Sequence, residues 1–263
     1  MDTGLKNKLA LVTGSTKGIG FATAKLLHAE GARVIINGRR KPETEEAAKS
    51  IGANAYGVAG DVSTLAGVEA FAAKVRKIGE PEILINNAGI FDPKDFFEIP
   101  DSEWMRFFEV NVMSGVRLAK IFMPAMLKKN WGRIIFISSE SGINTPVEMI
   151  HYGMTKTAQL AVSRGLSELT KGTKVTVNSI LPGPTMSDGV KTFVKDLGAK
   201  TGKTAAEFEK DIFFKEARPG SLIQRFAATE EVANLIVYTA SMLSSATNGS
   251  ALRVDGGIVK SII

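Results

Sequence analysis

Tyr152 and Lys156 stand four residues apart, so a helix would put them on one face, one turn apart. A free phenol titrates near ~10, and a neighbouring ammonium favours the phenolate and lowers that value. The spacing therefore equips Tyr152 to hand a proton to an oxyanion near neutral pH, the step required when a carbonyl takes up hydride. Ser138 and Ser139 follow an apolar run upstream. Alternation along a strand sends their side chains to opposite sides, so only one of them can meet the same oxygen. His151 abuts Tyr152, but adjacent helix positions diverge by about 100°, which gives it a supporting place. Glu140 is either a pocket-lining carboxylate or an ordinary solvated one.

A second constellation lies near the N-terminus. Thr13-Gly14-Ser15-Thr16-Lys17-Gly18-Ile19-Gly20 follows an apolar strand and opens a helical pattern. Free amides and the dipole at such a helix start suit a pyrophosphate. The next strand should end near an adenosine ribose, roughly 20 residues on, where an acid binds a 2′-hydroxyl and a base a 2′-phosphate. In this chain the segment reads Asn37-Gly38-Arg39-Arg40, with no carboxylate before Glu43. Arg39 can fork onto phosphate oxygens and Lys17 can add a second charge. The expected cofactor is therefore NADP(H), the alternative being that Arg39 and Arg40 are solvated loop charges.

The spacing Gly14-x-x-x-Gly18-x-Gly20, Asn86-Asn87-Ala88-Gly89, the Ser139 region, Tyr152-x-x-x-Lys156 and Pro182-Gly183 occur in this order along the chain. The pattern resembles the short-chain dehydrogenase/reductase family, single-domain branch, and the resemblance covers nearly the whole chain. It implies a catalytic set of Asn111, Ser139, Tyr152 and Lys156. The interval from Ser139 to Tyr152 selects Ser139 as the serine that hydrogen-bonds the substrate oxygen. Asn111 would kink the fourth long helix and hold a water linking Lys156 to solvent, and Lys156 would also bond the nicotinamide ribose. The cofactor would lie along Gly14 to Gly20, including Ser15, Thr16 and Ile19, and along Asn37, Arg39, Asn87, Ala88 and Gly89. Asp61 and Val62 would meet the adenine, although an Asp there could equally cap the next helix. Pro182 and Gly183 would lie against the carboxamide, with either Thr185 or Ser187 making the contact.

These side chains need a scaffold, and the chain supplies one. Short apolar runs at 9–12, 34–36, 83–85, 133–137, 175–180 and 251–254 alternate with amphipathic stretches at 21–30, 68–78, 104–129 and 156–170. That alternation predicts a doubly wound parallel sheet with helices on both faces, and the resemblance implies that it is Rossmann-type and mainly seven-stranded. At 263 residues with 44% hydrophobic content, one NADP(H)-binding domain over 1–263 accounts for the chain. An extended-family epimerase would need a larger C-terminal substrate domain. A cofactor-sensing binding protein would not need the full catalytic set.

Composition narrows the rest. There is no cysteine, and the two histidines, His28 and His151, lie far apart, so neither a thiolate site nor a zinc site is expected. A cytoplasmic location is consistent with that usage, and no apolar leader or stretch of ~18 apolar residues is evident. The net charge of +6 is scattered, which favours anionic ligands over nucleic acid. Residues 185–225 break the alternation and are expected to form a substrate lid with helices at 190–197 and 205–216. Val190, Phe193, Leu197, Phe208, Ile212, Phe213 and Phe214, with Ile143, Pro146, Val147, Met149 and Ile150, would suit an apolar ketone, though core packing or a subunit interface uses the same pattern. Lys128, Lys129, Lys171 and Lys174 could receive an acyl carrier protein, which would make the substrate a 3-oxoacyl thioester. Lysines at helix C-termini are favourable in any case. The resemblance implies a homotetramer or homodimer, paired through 104–129 and 156–170, with the apolar tail 258–263 at a contact.

Overall fold

Seven β-strands, all parallel, carry the fold: β1 (Leu9–Val12), β2 (Arg33–Gly38), β3 (Ala55–Ala59), β4 (Ile83–Asn86), β5 (Gly132–Ile137), β6 (Val175–Pro182) and β7 (Ala251–Val254), in the order β3-β2-β1-β4-β5-β6-β7. The computed structural model describes residues 2–262, with the side chain of Phe193 outside the described set. Strands covered on both faces read as continuous apolar runs, and β1 and β4 are buried throughout. Alternation along β1 sorts Ala10 and Val12 to one face, Leu9 and Leu11 to the other.

Helices α1 (Gly18–Ala29), α2 (Lys41–Ile51), α3 (Leu65–Arg76), α4 (Asp101–Phe108), α5 (Ser114–Lys129), α6 (Ile150–Glu168), α7 (Asp188–Lys200), α8 (Ala205–Phe208) and α9 (Thr229–Ala240) complete the element order. On one face α1, α2 and α9 bury Ala24, Leu27, Ala47, Val232 and Ile236 against the sheet. On the other, α3, α5 and α6 bring Phe71, Val75, Leu118, Phe122 and Val162. By length and composition the run Asp101–Lys129 would qualify as a membrane span, but half of its apolar window is buried within the protein. Its hydrophobicity is that of a sheet cover.

Several boundaries differ from the sequence expectation for physical reasons. Helix α6 starts at Ile150 instead of 156, because the residues it buries in its first turns are polar, and they include His151, Thr155, Lys156 and Gln159. The expected helix 104–129 begins at Asp101 and is interrupted by a π-helical turn, Glu109–Met113. Strand β6 runs on to Pro182, which still pairs with Val254 of β7. The sheet order reverses between β1 and β4, and the crevice at their carboxyl ends is where this topology receives ligands.

The insertion between β6 and α9 folds as α7, α8 and a π-helical stretch, Glu209–Ala217. A bridge between Thr185 and Ala227 closes its two ends on each other. Inside, Phe213 and Phe214 pack on Phe226 at ring separations of 4.6 and 5.1 Å. The lid therefore has a small core of its own, joined by Val194 and Phe208.

Candidate active site

The glycine turn is held open by residues that never touch its outer side. Ser15 donates to the Val12 carbonyl at 2.6 Å and accepts from the Asn37 amide. Asn37 is buried, accepting from the Gly14 amide at 3.3 Å and donating to the Gly60 carbonyl. Asn87 donates to the carbonyls of Thr13 and Gly14 at 2.9 and 3.0 Å, while Thr13 Oγ1 accepts from the amides of Asn87 and Ala88. A Cβ at Gly20 would stand 2.5 Å from Asn87 Nδ2 and 2.7 Å from the Gly14 carbonyl, so this approach of helix to turn requires glycine. Ser15, Asn37 and Asn87 thus brace the turn through their side chains.

Outside that brace, α1 presents its first amides. Asp188 Oδ2 accepts from the Gly18 amide at 3.3 Å, a carboxylate standing where a phosphate oxygen would sit. The donor set fits a dinucleotide. A shallow depression beside it, about 480 Å³, is lined by Thr16, Lys17, Arg39 and Arg40. Arg40 pairs with Glu43 at 2.6 Å, whereas Arg39 and Lys17 are exposed and have no ion pair among the described residues. Asp61 accepts from the Ser63 amide at 2.9 Å, which holds its carboxyl below the usual range, and Val62 packs into the core.

From Lys17, Gly18, Ile19 and Gly20 a cavity of about 640 Å³ runs past Asn87, Gly89, Pro182, Gly183, Thr185 and Ser187 to Ser139, Tyr152 and Lys156. Thr185 Oγ1 donates to the Gly183 carbonyl, and Ser187 caps α7 by accepting from the Val190 amide. The Lys156 Nζ lies 5.4 Å from the Tyr152 ring and donates to the Ile137 carbonyl at 2.9 Å and to Gln159 Oε1 at 3.3 Å. Ser138 Oγ donates to the Lys156 carbonyl, which leaves Ser139 as the serine beside Tyr152.

The electrostatics differ from the sequence expectation. Burial raises the Tyr152 phenol, nearby Glu140 raises it further, and a hydrogen bond from Ser139 only partly opposes them. Burial also pulls the Lys156 ammonium down to about 7. The spacing alone predicts that the lysine lowers the tyrosine; in the free protein desolvation outweighs that attraction, Lys156 being buried and Tyr152 half-buried at the cavity wall.

Asn111 sits in the π-helical turn, which swings its side chain away from its own helix. Its Oδ1 accepts from the Ile90 amide at 2.8 Å and its Nδ2 donates to the Ile90 carbonyl and Thr155 Oγ1, each at 3.0 Å. Its carbonyl accepts from Gln159 Nε2, and Gln159 Oε1 takes the lysine. That amide orientation is dictated by chemistry, since Lys156 can only donate and the carbonyl only accept. Gln159 thereby joins the Asn111 carbonyl directly to Lys156.

Of the expected pocket residues, Val190, Leu197, Phe208, Phe213 and Met149 line the cavity. Phe214 and Ile212 face the lid core, Ile143 and Val147 are exposed, and Phe193 lies outside the described residues. Ile90, Phe91 and Pro93 after β4, and Phe226 after the lid, also line it; no local spacing marks them. Arg218 of the lid reaches Glu148 of the opposite loop at 2.8 Å. The lysines suggested for a carrier protein lie at or beyond the C-terminal ends of α5 and α6, by the starts of β5 and β6. That is the opposite edge of the sheet from the cavity, and Lys129 is paired with Glu82.

The comparisons agree with this geometry. A family model described as short chain dehydrogenase matches residues 8–198. An uncharacterized oxidoreductase of Bacillus subtilis (strain 168), YvrD, is 49% identical over 264 residues, covering 100% of both chains. The 3-oxoacyl-[acyl-carrier-protein] reductase FabG of Escherichia coli (strain K12) is 32% identical over 96% of this chain and 98% of its own. The structure of L-sorbose reductase from Gluconobacter frateurii, complexed with NADPH and L-sorbose, superposes with a TM-score of 0.93 at 32% identity over 100% of both chains. The chain belongs to the short-chain dehydrogenase family and is an oxidoreductase with its fold.

Proposed function

We propose that the protein interconverts a carbonyl and a secondary alcohol with NADP(H), with Tyr152 as the general acid and base. The observation that carries this is the single cavity joining the glycine turn to Tyr152, Lys156 and Ser139. The nicotinamide, when bound, supplies or takes the hydride. Gly18 to Gly20 would hold the pyrophosphate through main-chain amides, and Lys17 with the unpaired Arg39 would hold a 2′-phosphate. Ser139 and Tyr152 would hold the substrate oxygen, Tyr152 delivering the proton. Burial keeps the phenol protonated in the free protein, and transfer of its proton to an alkoxide is still downhill, because an alkoxide is the stronger base. The apolar walls at Phe91, Met149, Leu197 and Phe213 favour a ketone of modest polarity and exclude water from the transfer.

The test is NADPH oxidation, followed by absorbance, against ketones, aldehydes, ketoses and 3-oxoacyl thioesters, with NADH as control. Turnover should fall at least ~10³-fold in Tyr152→Phe, the scale of a lost proton donor. In Arg39→Ala the KM for NADPH should rise about tenfold while that for NADH holds, a loss of roughly 1.4 kcal/mol at an exposed phosphate contact. Preference for NADH in the wild type would refute the cofactor assignment.

A further inference from the structure

Glu140 stands next to Ser139 at the cavity wall, buried to 8% exposure and without an ion pair among the described residues. Its Oε2 shares a short hydrogen bond with Ser139 Oγ. The Ser141 amide also donates to Ser139 Oγ, at 3.1 Å. A serine hydroxyl has one hydrogen and two acceptor positions, so these two contacts decide whether Ser139 meets the neighbouring Tyr152 hydroxyl, and the substrate oxygen beside it, as acceptor or as donor. An ionised Glu140 can only accept, and it then takes the single hydrogen of Ser139, leaving the serine nothing to donate to a substrate. A protonated Glu140 donates into the second acceptor position, and the hydrogen of Ser139 is freed toward the oxygen beside Tyr152.

We infer that Glu140 is a positioning residue whose acid form turns the Ser139 hydroxyl toward the substrate oxygen, so that carbonyl reduction requires Glu140 protonated. This rests on the reading above that Ser139 meets that oxygen. No redox step is added: the proton stays on Glu140 through the turn of the hydroxyl. The surroundings are compatible with an acid form. Tyr152 and Lys156 face Glu140 from α6, Arg218 from the lid, and Ser139 and Ser141 from its own segment. Arg218 is committed to Glu148 across the cavity, and burial, the largest influence, raises the Glu140 carboxyl.

The sign follows from that direction. Glu140 is protonated at low pH, so the reductive kcat/KM of the wild type should fall about tenfold per unit as pH rises through its titration. Glu140→Gln offers an N–H at every pH, and this limb should vanish from its profile while activity holds near the wild-type maximum. Ser139→Ala should lose the limb too, and adding Glu140→Gln should change its profile no further. A Glu140→Gln variant that keeps the wild-type limb, or is inactive at all pH with NADPH binding intact, overturns the inference. A second readout needs no substrate: infrared difference spectra of the wild type should show a protonated carboxyl stretch, missing in Glu140→Gln, that titrates above the ordinary glutamate range. Its absence overturns the inference even if Tyr152→Phe behaves as expected; full turnover in Tyr152→Phe would instead overturn the functional reading and leave the infrared result standing.

Discussion

At the scale of single residues, the site holds Lys156 at a cost to stability. Its ammonium is pulled from an ordinary 10.5 down to about 7 by burial, which corresponds to roughly 5 kcal/mol when the group is fully charged. Replacing it leaves the Ile137 carbonyl and Gln159 Oε1 without their donor, a loss of about 1–3 kcal/mol. Lys156→Met should therefore be more stable than the wild type by about 2 kcal/mol near pH 6 while losing turnover. A basic group with a depressed folded pKa burdens the fold fully below that pKa, and the burden fades as pH rises toward 10.5. Urea melts should show the advantage shrinking between about pH 7 and 10; a difference constant with pH would rule out desolvation of the ammonium as its cause. The nearness of Tyr152 to Lys156 was legible in a four-residue spacing, whereas the choice of Ser139 over Ser138 came from the resemblance. Gln159 was not legible, because its partner Asn111 is 48 residues away and only folding brings them together. The pairing of Arg40 with Glu43 spans only three residues, but Arg39 and Arg40 are neighbours and only the folded chain shows which of them takes the carboxylate.

Among the elements, the sheet was legible and the irregular helices were not. Strands β1, β2 and β4 to β6 announced themselves as apolar runs because both faces are covered, and the half-exposed edge strand β7 as a shorter one. The π-helical turn at Glu109–Met113 has no periodic signature, yet it delivers Asn111 to Ile90 and Thr155. Arg133 in β5 is a further case: an arginine in a buried strand reads as an exception until its guanidinium is seen. It donates to the carbonyls of Gly132, Lys174 and Ser241 and stacks on Trp131 at 4.9 Å. One side chain thereby closes the starts of β5 and β6 and the end of α9. Arg133→Ala should cost about 3 kcal/mol by orphaning buried carbonyls, read as a drop in Tm. Arg133→Lys should recover little of it, since an ammonium cannot reproduce the planar fork.

For the whole molecule, α6 matters most, because the residues it buries fully are mainly polar. It buries His151, Thr155, Lys156, Gln159, Ser163 and Ser167, while Ala161 and Leu169 are exposed and Leu160 is half-buried. A helix packed in a monomer turns its apolar stripe inward. This one gives much of its inner face to polar residues, packs Val162 and Leu166 on the sheet, and leaves Ala161 and Leu169 outside beside the Arg164–Glu168 ion pair. A Cβ at Gly165 would meet nothing within 4 Å, so the outer surface also has room for close approach. We propose that a second copy of the chain covers this face, in line with the homodimer or homotetramer expected from the sequence. Light scattering should give a mass that is a multiple of 28.1 kDa. Ala161→Arg, at an exposed position where a monomer would tolerate it within about 0.5 kcal/mol, should lower that mass. Because the covered face backs directly onto Tyr152 and Lys156, dissociation should also lower activity. A wild type that sediments as a monomer, or an Ala161→Arg variant of unchanged mass, would mean the outer apolar residues of α6 are ordinary surface and the site is complete in one chain.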